Sequence, residues 1–127
     1  MDTSTILPEE DREFLGARNI AFELTSTTGW INVIIKGYRL PGAYVPETCD
    51  LLLRLPPGYP NANPDMFWTT PGVRLRNGAA PLAADVVETY DGHNWQRWSR
   101  HNQTWRAGTD SIQTKLRAVR TELELGR

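Results

Sequence analysis

Three side chains of this sequence could act as a nucleophile or a base: Cys49, Ser99 and His101. A histidine can take a proton as a general base or accept an acyl group, and the neighbouring Arg97 and Arg100 would favour its neutral ring. A thiolate is the strongest of the three nucleophiles, whereas a serine hydroxyl without an adjacent base is a much poorer one. The alternative for His101 is a structural role, in which the ring hydrogen-bonds to the backbone and fixes an irregular loop.

The cysteine and histidine content limits other chemistry. The sequence has one cysteine and two histidines, His93 and His101. One cysteine excludes an internal disulfide bond and any site with several thiolates, and two histidines are too few for an evident zinc site. We therefore expect no metal and no cofactor. Cys49 opens a leucine-rich run, where a free cysteine is most often a small buried side chain; a reactive thiolate is the alternative.

Tryptophans and arginines alternate in an unusual segment near the end of the chain. Both residue types dominate protein-binding hot spots, so one interpretation is a surface for a protein partner. A second is a surface for single-stranded nucleic acid, and a third is that the tryptophans fill the core while the arginines stack on them or pair with acids. The candidates for partner binding are Trp95, Arg97, Trp98, Arg100, His101 and Trp105.

Composition excludes several classes of protein. The chain has 127 residues, of which 39% are apolar and 23% charged, as expected for one soluble globular domain over 1–127. Its net charge of −1, from 14 basic and 15 acidic residues, disfavours nucleic-acid binding. No apolar run approaches the roughly 18 residues of a membrane span, and the acidic start is unlike a secretory signal. We expect a cytoplasmic protein that does not bind membranes.

A small set of helices and strands must position the candidate residues. A proline followed by three acidic residues is typical of a first helical turn and predicts a helix over 8–17. Alternating or β-branched apolar residues predict strands over 20–24 and 30–38, and a leucine-rich apolar run predicts a third over 49–55. A short fourth strand is predicted over 66–69, where the proline-rich run allows one.

The second half of the chain is less regular. Prolines between the third and fourth strands predict a rigid, extended flap. The segment 72–89 has no clear periodicity and is predicted to be irregular. A last helix is predicted to begin at a cap formed by Thr109 or Asp110. Its apolar stripe, which would pack on the sheet, comprises Ile112, Leu116, Val119 and Leu123.

This order of elements resembles the ubiquitin-conjugating (UBC) fold, and several residues match that family at corresponding places. Trp30 begins a strand that ends at Gly37, and the run DLLLRLPPGYPNANPDMFWTT is similar to the family's next strand, its Tyr-Pro flap and the strand after it. Trp105 and the following RAGTDSIQTKLRAVRTEL are similar to the family's Trp-Ser-Pro-Ala segment and helix. The combination of GYP with WQRWSRHNQTW looks most like the prokaryotic family-E members, which are linked with ubiquitin-like and adenylating proteins.

The resemblance implies an α+β fold. A short N-terminal helix, an antiparallel four-stranded sheet, a proline-rich flap and a C-terminal helix packed on the sheet would follow in that order. It also implies a cis proline bond near the flap, which we expect at Asn63-Pro64. The family's cysteine should shortly precede Trp105, and its His-Pro-Asn tripeptide should follow Trp68; this sequence has neither at those places.

Three functions follow from these observations. The first is an atypical family member that binds a ubiquitin-like protein, its adenylating enzyme or both, mainly without a covalent bond. The second is an active ubiquitin-like transferase that uses Cys49, Ser99 or His101 as its acceptor. The third, which the nearly neutral total charge disfavours, is a single-stranded nucleic-acid binder.

Overall fold

The computed structural model describes residues 7–101 and 104–127, which form a mixed α+β structure. The predicted helix and all four predicted strands are present, with their ends shifted by a few residues. In chain order the elements are α1 (Glu9–Ala17), β1 (Phe22–Thr27), β2 (Trp30–Arg39), β3 (Tyr44–Val45), β4 (Thr48–Leu55), β5 (Phe67–Thr70), β6 (Arg74–Leu75), β7 (Val86–Tyr90), β8 (His93–Trp98) and α2 (Ile112–Glu124).

The main sheet has six antiparallel strands in the order β1-β2-β4-β5-β8-β7, and β3 pairs with β6 in a separate ribbon. The expectation of a four-stranded sheet is therefore wrong, because the β7–β8 hairpin extends the sheet beyond β5. The segment 72–89 is likewise not irregular throughout, since it contains β6 and most of β7. Asp91 and Gly92 close the hairpin at φ angles of 52° and 76°. Two left-handed residues match the twist of the flanking strands, so an Asp-Gly pair favours this tight turn.

The last helix differs from its prediction only at its start. Its N-cap is Ser111, whose backbone N–H donates to Thr114 Oγ1 at 2.8 Å, and not Thr109 or Asp110. The carboxylate of Asp110 instead accepts a hydrogen bond of 2.6 Å from the backbone N–H of Arg106, in the turn that precedes the helix. The predicted apolar stripe packs on the sheet with Ile112, Val119 and Leu123 buried and Leu116 half-buried.

Both faces of the sheet carry buried apolar side chains, which form a larger cluster on one face and a smaller one on the other. The helices and the larger core lie on one face, where β4 contributes Leu51, Leu53 and Leu55. Leu52 points to the other face, as the alternation of a strand requires, and packs there in a smaller cluster with Trp68 and further side chains. Three successive leucines are therefore buried because the strand is covered on both sides.

The sheet curls until its two ends meet. Asp91, at the tip of the β7–β8 hairpin, accepts hydrogen bonds from Thr25 Oγ1 on β1 and, at 3.4 Å, from Asn32 Nδ2 on β2. The guanidinium of Arg54 lies nearby, 4.6 Å from the ring centre of Trp30 and 3.9 Å from that of Tyr90. These contacts hold the β7–β8 hairpin against β1, β2 and β4, on the face of the sheet opposite the helices.

The proline bonds differ from the expectation. Cis bonds precede Pro46, Pro60 and Pro71, whereas the Asn63-Pro64 bond is not among them, so that prediction is wrong. The flap reverses direction earlier, in a turn where the backbone N–H of Tyr59 donates to the carbonyl of Pro56 at 3.0 Å. The cis bond between Tyr59 and Pro60 lies in the next, overlapping turn, where the backbone N–H of Asn61 donates to the carbonyl of Gly58 at 2.8 Å. A tight turn is the usual place for a cis proline.

Candidate functional site

Cys49 lies near the start of β4 with its side chain in the main core. Only 4% of the residue is exposed. Burial, with a smaller contribution from the charge of Asp50, raises the pKa of the Cys49 thiol to about 12. The group is therefore a protonated thiol at neutral pH, without the thiolate character that nucleophilic transfer requires.

Ser99 follows β8 and is half-buried. Its Oγ accepts a hydrogen bond of 2.9 Å from Arg97 Nε. In the part of the chain that the structure describes, this is the one side chain hydrogen-bonded to Ser99. A guanidinium cannot take a proton from the hydroxyl, so the contact does not activate Ser99 as a nucleophile.

His101 forms a close pair with a carboxylate. Its Nδ1 lies 2.6 Å from Asp65 Oδ2, and the side chains are 52% and 38% exposed. When Nδ1 carries the proton that is shared with Asp65, Nε2 is the acceptor nitrogen of the ring. A carboxylate on one nitrogen thus orients the histidine so that the other can act as a base or nucleophile.

Trp105 fastens the segment after His101 to the flap. Its indole Nε1–H donates to the carbonyl of Pro60 at 2.8 Å, and its ring centre lies 6.1 Å from that of Tyr59. We call the area formed by Tyr59, Pro60, Asp65, His101 and Trp105 the flap surface. It unites the flap with the segment that follows β8, and it keeps His101 and part of Trp105 accessible.

A buried carboxylate holds the flap against both helices. Asp11 of α1 is 2% exposed, and its Oδ2 accepts a hydrogen bond of 2.7 Å from the hydroxyl of Tyr59. Its Oδ1 accepts a second, of 3.1 Å, from the backbone N–H of Ile112 at the start of α2. One side chain therefore fixes the flap, α1 and α2 relative to each other, which positions the flap surface.

Two of the tryptophans proposed for partner binding are in the interior. Trp98 is fully buried, lies 5.2 Å from the ring centre of Phe67 and donates its indole N–H to Thr69. Trp95 is 3% exposed and belongs to the smaller cluster on the opposite face. Because these two rings are buried, they provide no surface on which nucleic-acid bases could stack. Trp105 is the member of the set whose ring remains partly accessible.

The two arginines of the set have internal partners. Arg97 forms an ion pair of 3.0 Å with Glu88 across the β7–β8 hairpin. Arg100 is buried over the Trp98 ring, donates to the carbonyl of Leu82 at 3.1 Å and also reaches the carbonyl of Arg127. Arginines that stack on and bind to their own chain have a structural role here. Residues 102 and 103 of the segment lie outside the described residues.

Lys115 is a candidate that sequence reasoning missed. It lies on the buried side of α2 and is 2% exposed, and its side-chain amine has no hydrogen-bond or ion-pair partner among residues 7–101 and 104–127. Burial lowers the pKa of its amine to about 8, with the charge of Asp65 opposing that effect. Together with Arg100, His101 and Glu122 it lines a cavity of about 90 Å³. The half-exposed His101 of the flap surface and the buried Lys115 thus line the same cavity.

Comparison with known proteins assigns the family. The chain matches the family model of prokaryotic E2 family E over residues 7–126. This protein belongs to prokaryotic E2 family E. No curated protein and no solved structure matches it. Membership in an E2-like family indicates a role related to ubiquitin conjugation, and E2-like proteins in general interact with ubiquitin-like proteins and activating enzymes.

Sequence reasoning missed two residues near this site, Asp65 and Lys115, and they differ in the signal that could have found them. Asp65 is 36 residues from His101, and only the sheet and flap bring them together. Lys115, in contrast, interrupts the apolar stripe of α2 between Ile112 and Val119, a polar residue at a buried helical position. Among the described residues, no group of three or more His, Cys, Asp or Glu side chains could hold a metal, and no helix is long and apolar enough to cross a membrane.

Proposed function

We propose that this family-E protein binds a ubiquitin-like protein, its adenylating enzyme or both through the flap surface, and that it does so without forming a thioester. The observation that carries the proposal is the environment of Cys49, the single cysteine of the chain. A thioester-forming E2 needs a thiolate that a partner's C-terminal carbonyl can reach.

Cys49 meets neither requirement of that reaction. With a pKa of about 12, roughly one thiol in 10⁵ is ionised at pH 7. Its side chain also lies within the main core, on the same face of the sheet as Leu51 and Leu53, so a partner could reach it only if that core opened. Both facts argue for recognition without covalent transfer through this residue.

The flap surface has the features of a protein-binding site. It offers a tryptophan, and such residues contribute most to binding when a partner covers them. A hollow of about 480 Å³ adjoins Trp105, and Arg106 and Arg117 line it with mostly exposed side chains. The hydrogen bonds of Asp11 hold this surface in place before a partner arrives, which lowers the entropic cost of binding.

Trp105→Ala and His101→Ala test the surface, with His93→Ala as the matched control. All three residues lie at the surface or partly so, but His93 begins β8 at the hairpin, outside the flap surface. We expect Trp105→Ala to weaken the complex with the cognate ubiquitin-like or adenylating protein at least tenfold, His101→Ala to weaken it less, and His93→Ala to leave it unchanged. Calorimetry measures each affinity, and the melting temperature of each variant shows whether it is folded. Folded Trp105 and His101 variants that bind normally would refute the assignment.

The Asp65–His101 pair favours a second candidate function, transfer through histidine. In that reaction, Nε2 of His101 attacks the C-terminal carbonyl of an acyl-adenylate, the new N–C bond forms, and AMP leaves with the electrons of the broken C–O bond. The carboxylate of Asp65, which accepts the hydrogen bond from Nδ1–H, stabilises the positively charged ring that results. This function predicts a mass adduct that hydroxylamine removes and that Asp65→Asn slows. A stable complex without added mass excludes it in favour of the first proposal.

A further inference from the structure

A second accessible site lies apart from the flap surface. A groove of about 600 Å³ opens between the C-terminal end of α1, the C-terminal half of β2 and α2. None of the residues that define the flap surface lines it. Its volume falls within the usual range of ligand-binding clefts, of about 300 to 1,000 Å³.

The floor of the groove is apolar. Phe14 and Ile20 contribute from α1 and the chain that follows it, Ile35 from β2 and Leu116 from α2. Phe14, Ile20 and Leu116 are half-buried, packed on the main core on one side and open on the other. Such a floor gains free energy when a partner's apolar side chains cover it.

The rim of the groove is cationic. Its basic side chains come from three separate elements, and no aspartate or glutamate lines the groove. Within the described ranges, Arg18 and Arg117 form no ion pair, whereas Lys36 pairs with Asp50 at 2.8 Å and Arg120 with Glu124 at 2.8 Å. The four cations are Arg18, Lys36, Arg117 and Arg120.

A β-bulge shapes the β2 wall. The register of β2 against β4 shifts between Ile35 and Tyr38, and Gly37 adopts a φ of 63°. A bulge bends its strand and redirects the side chains beside it, and bulges are frequent at functional sites. Asp50 secures this bend, because its carboxylate accepts a hydrogen bond of 3.1 Å from the Gly37 backbone N–H and pairs with Lys36.

We propose that this groove binds an acidic segment of a partner protein in which carboxylates are interspersed with large apolar side chains. Charge complementarity identifies the occupant, because several carboxylates spread along a peptide can meet cations on three elements while its apolar side chains reach the floor. A fatty acid carries one carboxylate and would leave most of the rim unmatched. The five residues of the flap surface do not line the groove, and Arg117 is the residue that lines both the groove and the hollow beside Trp105, so a variant that tests the groove alone must lie elsewhere on its rim.

The probe is a short fluorescein-labelled peptide in which glutamate and leucine alternate, compared with a peptide in which lysine replaces glutamate. We expect the glutamate peptide to bind at least tenfold more tightly, with an affinity that falls as salt rises. Arg18→Glu, a charge reversal at an exposed position that lines the groove but not the hollow beside Trp105, should weaken that binding at least fivefold. Arg74→Glu, the same charge reversal at an exposed position on β6, should leave it unchanged. Trp105→Ala should also leave it unchanged, which separates this site from the flap surface.

Three results would overturn the proposal: equal binding of both peptides, equal effects of the two arginine variants, or dodecanoate binding at the groove while the peptide does not bind. A further rival occupant is a second copy of this chain, because α1 itself combines the acidic Glu9 and Glu10 with the apolar Phe14. Sedimentation of the protein without peptide tests it. A dimer that Arg18→Glu abolishes would show that a second copy of this chain, and not a partner protein, occupies the groove.

Discussion

Replacing Lys115 with methionine should make this protein more stable at neutral pH. Methionine keeps most of the length and apolar character of the lysine stem but carries no charge. Lys115 is almost fully buried on α2 and has no ion-pair partner among the described residues. Burial therefore disfavours the charged form of the Lys115 amine and lowers its pKa to about 8.

The size of the effect follows from that pKa. Folding lowers the pKa of Lys115 from 10.5 to about 8, a change of about 2.5 units, and each unit corresponds to about 1.4 kcal/mol. The folded state thus bears a penalty of about 3 kcal/mol at pH 7, which Lys115→Met removes. For a chain of this length, that gain should raise the melting temperature by about 10 °C.

The pH dependence gives a sharper test than the gain alone. Below pH 8 the lysine is protonated in both states, and the full penalty applies. Between about pH 8 and 10.5 the unfolded chain holds a proton that the folded chain has released, so the stability of the unmodified protein rises with pH relative to the variant. The advantage of Lys115→Met should therefore be constant below pH 8 and disappear by about pH 10.5.

Urea denaturation of both proteins from pH 6 to 10.5 measures this difference. Subtracting one stability from the other cancels the contributions of other groups that titrate in alkali, such as Tyr59 and Cys49. Burial raises the pKa of both, and the hydrogen bond to Asp11 raises that of Tyr59 further. Lys36→Met is the control, since Lys36 is exposed and paired with Asp50, and it should give no stabilisation. A Lys115→Met protein that is no more stable at pH 7, or whose advantage persists unchanged to pH 10.5, would refute the reasoning.

Three further predictions concern the core and its connections. Iodoacetamide should modify Cys49 much more slowly in the folded protein at pH 8 than in guanidinium chloride, and equal rates would contradict its burial. Asp11→Ala should cost about 2 to 4 kcal/mol in urea denaturation, because it leaves two hydrogen-bond donors in the interior without an acceptor; a loss below about 1 kcal/mol would show that Asp11 does not hold the flap. Asp91→Ala should cost about 1 to 2 kcal/mol, because it removes the contacts of the hairpin tip and places alanine at a positive φ, whereas Asp91→Asn, which tolerates that backbone, should cost less. Equal losses for the two Asp91 variants would contradict this account.

The elements that sequence predicts well are those with a strong local pattern. Acidic residues after a proline predict α1, and an apolar stripe predicts α2. Alternating, β-branched or leucine-rich apolar runs predict β1, β2 and β4, and the proline pattern leaves room for β5. The β7–β8 hairpin is harder to predict from sequence, because the periodicity of the small apolar residues before it does not decide between a helix and a loop. Its one clear signal is Asp91-Gly92, a pair that favours a two-residue hairpin turn.

The missed hairpin also explains the division of the tryptophans. Trp95 and Trp98 are three residues apart, so a strand through both must place them on opposite faces. In an irregular segment they could have shared one exposed surface, but in β8 each is covered by a different part of the core. Strand alternation, once the strand is known, is sufficient to separate them.

The candidate site depends on contacts that no local pattern contains. Asp65 and His101 come from opposite ends of the β5–β8 region and meet only after the sheet has formed. The buried Lys115 was visible as a charged residue within an apolar stripe, but its proximity to His101 required the packing of α2 on the sheet. Sequence could thus supply candidate residue types, whereas tertiary structure decides which of them act together.

Intact mass spectrometry combined with size-exclusion chromatography tests the central claim most directly. The protein is incubated with its cognate ubiquitin-like and adenylating proteins and ATP, and the mixture is analysed with and without a thiol reductant. We predict co-elution with a partner and an unchanged mass, because Cys49 is a buried, protonated thiol and the flap surface binds without a covalent bond. A mass increase equal to the ubiquitin-like protein, located on Cys49 and released by the reductant, would contradict the account.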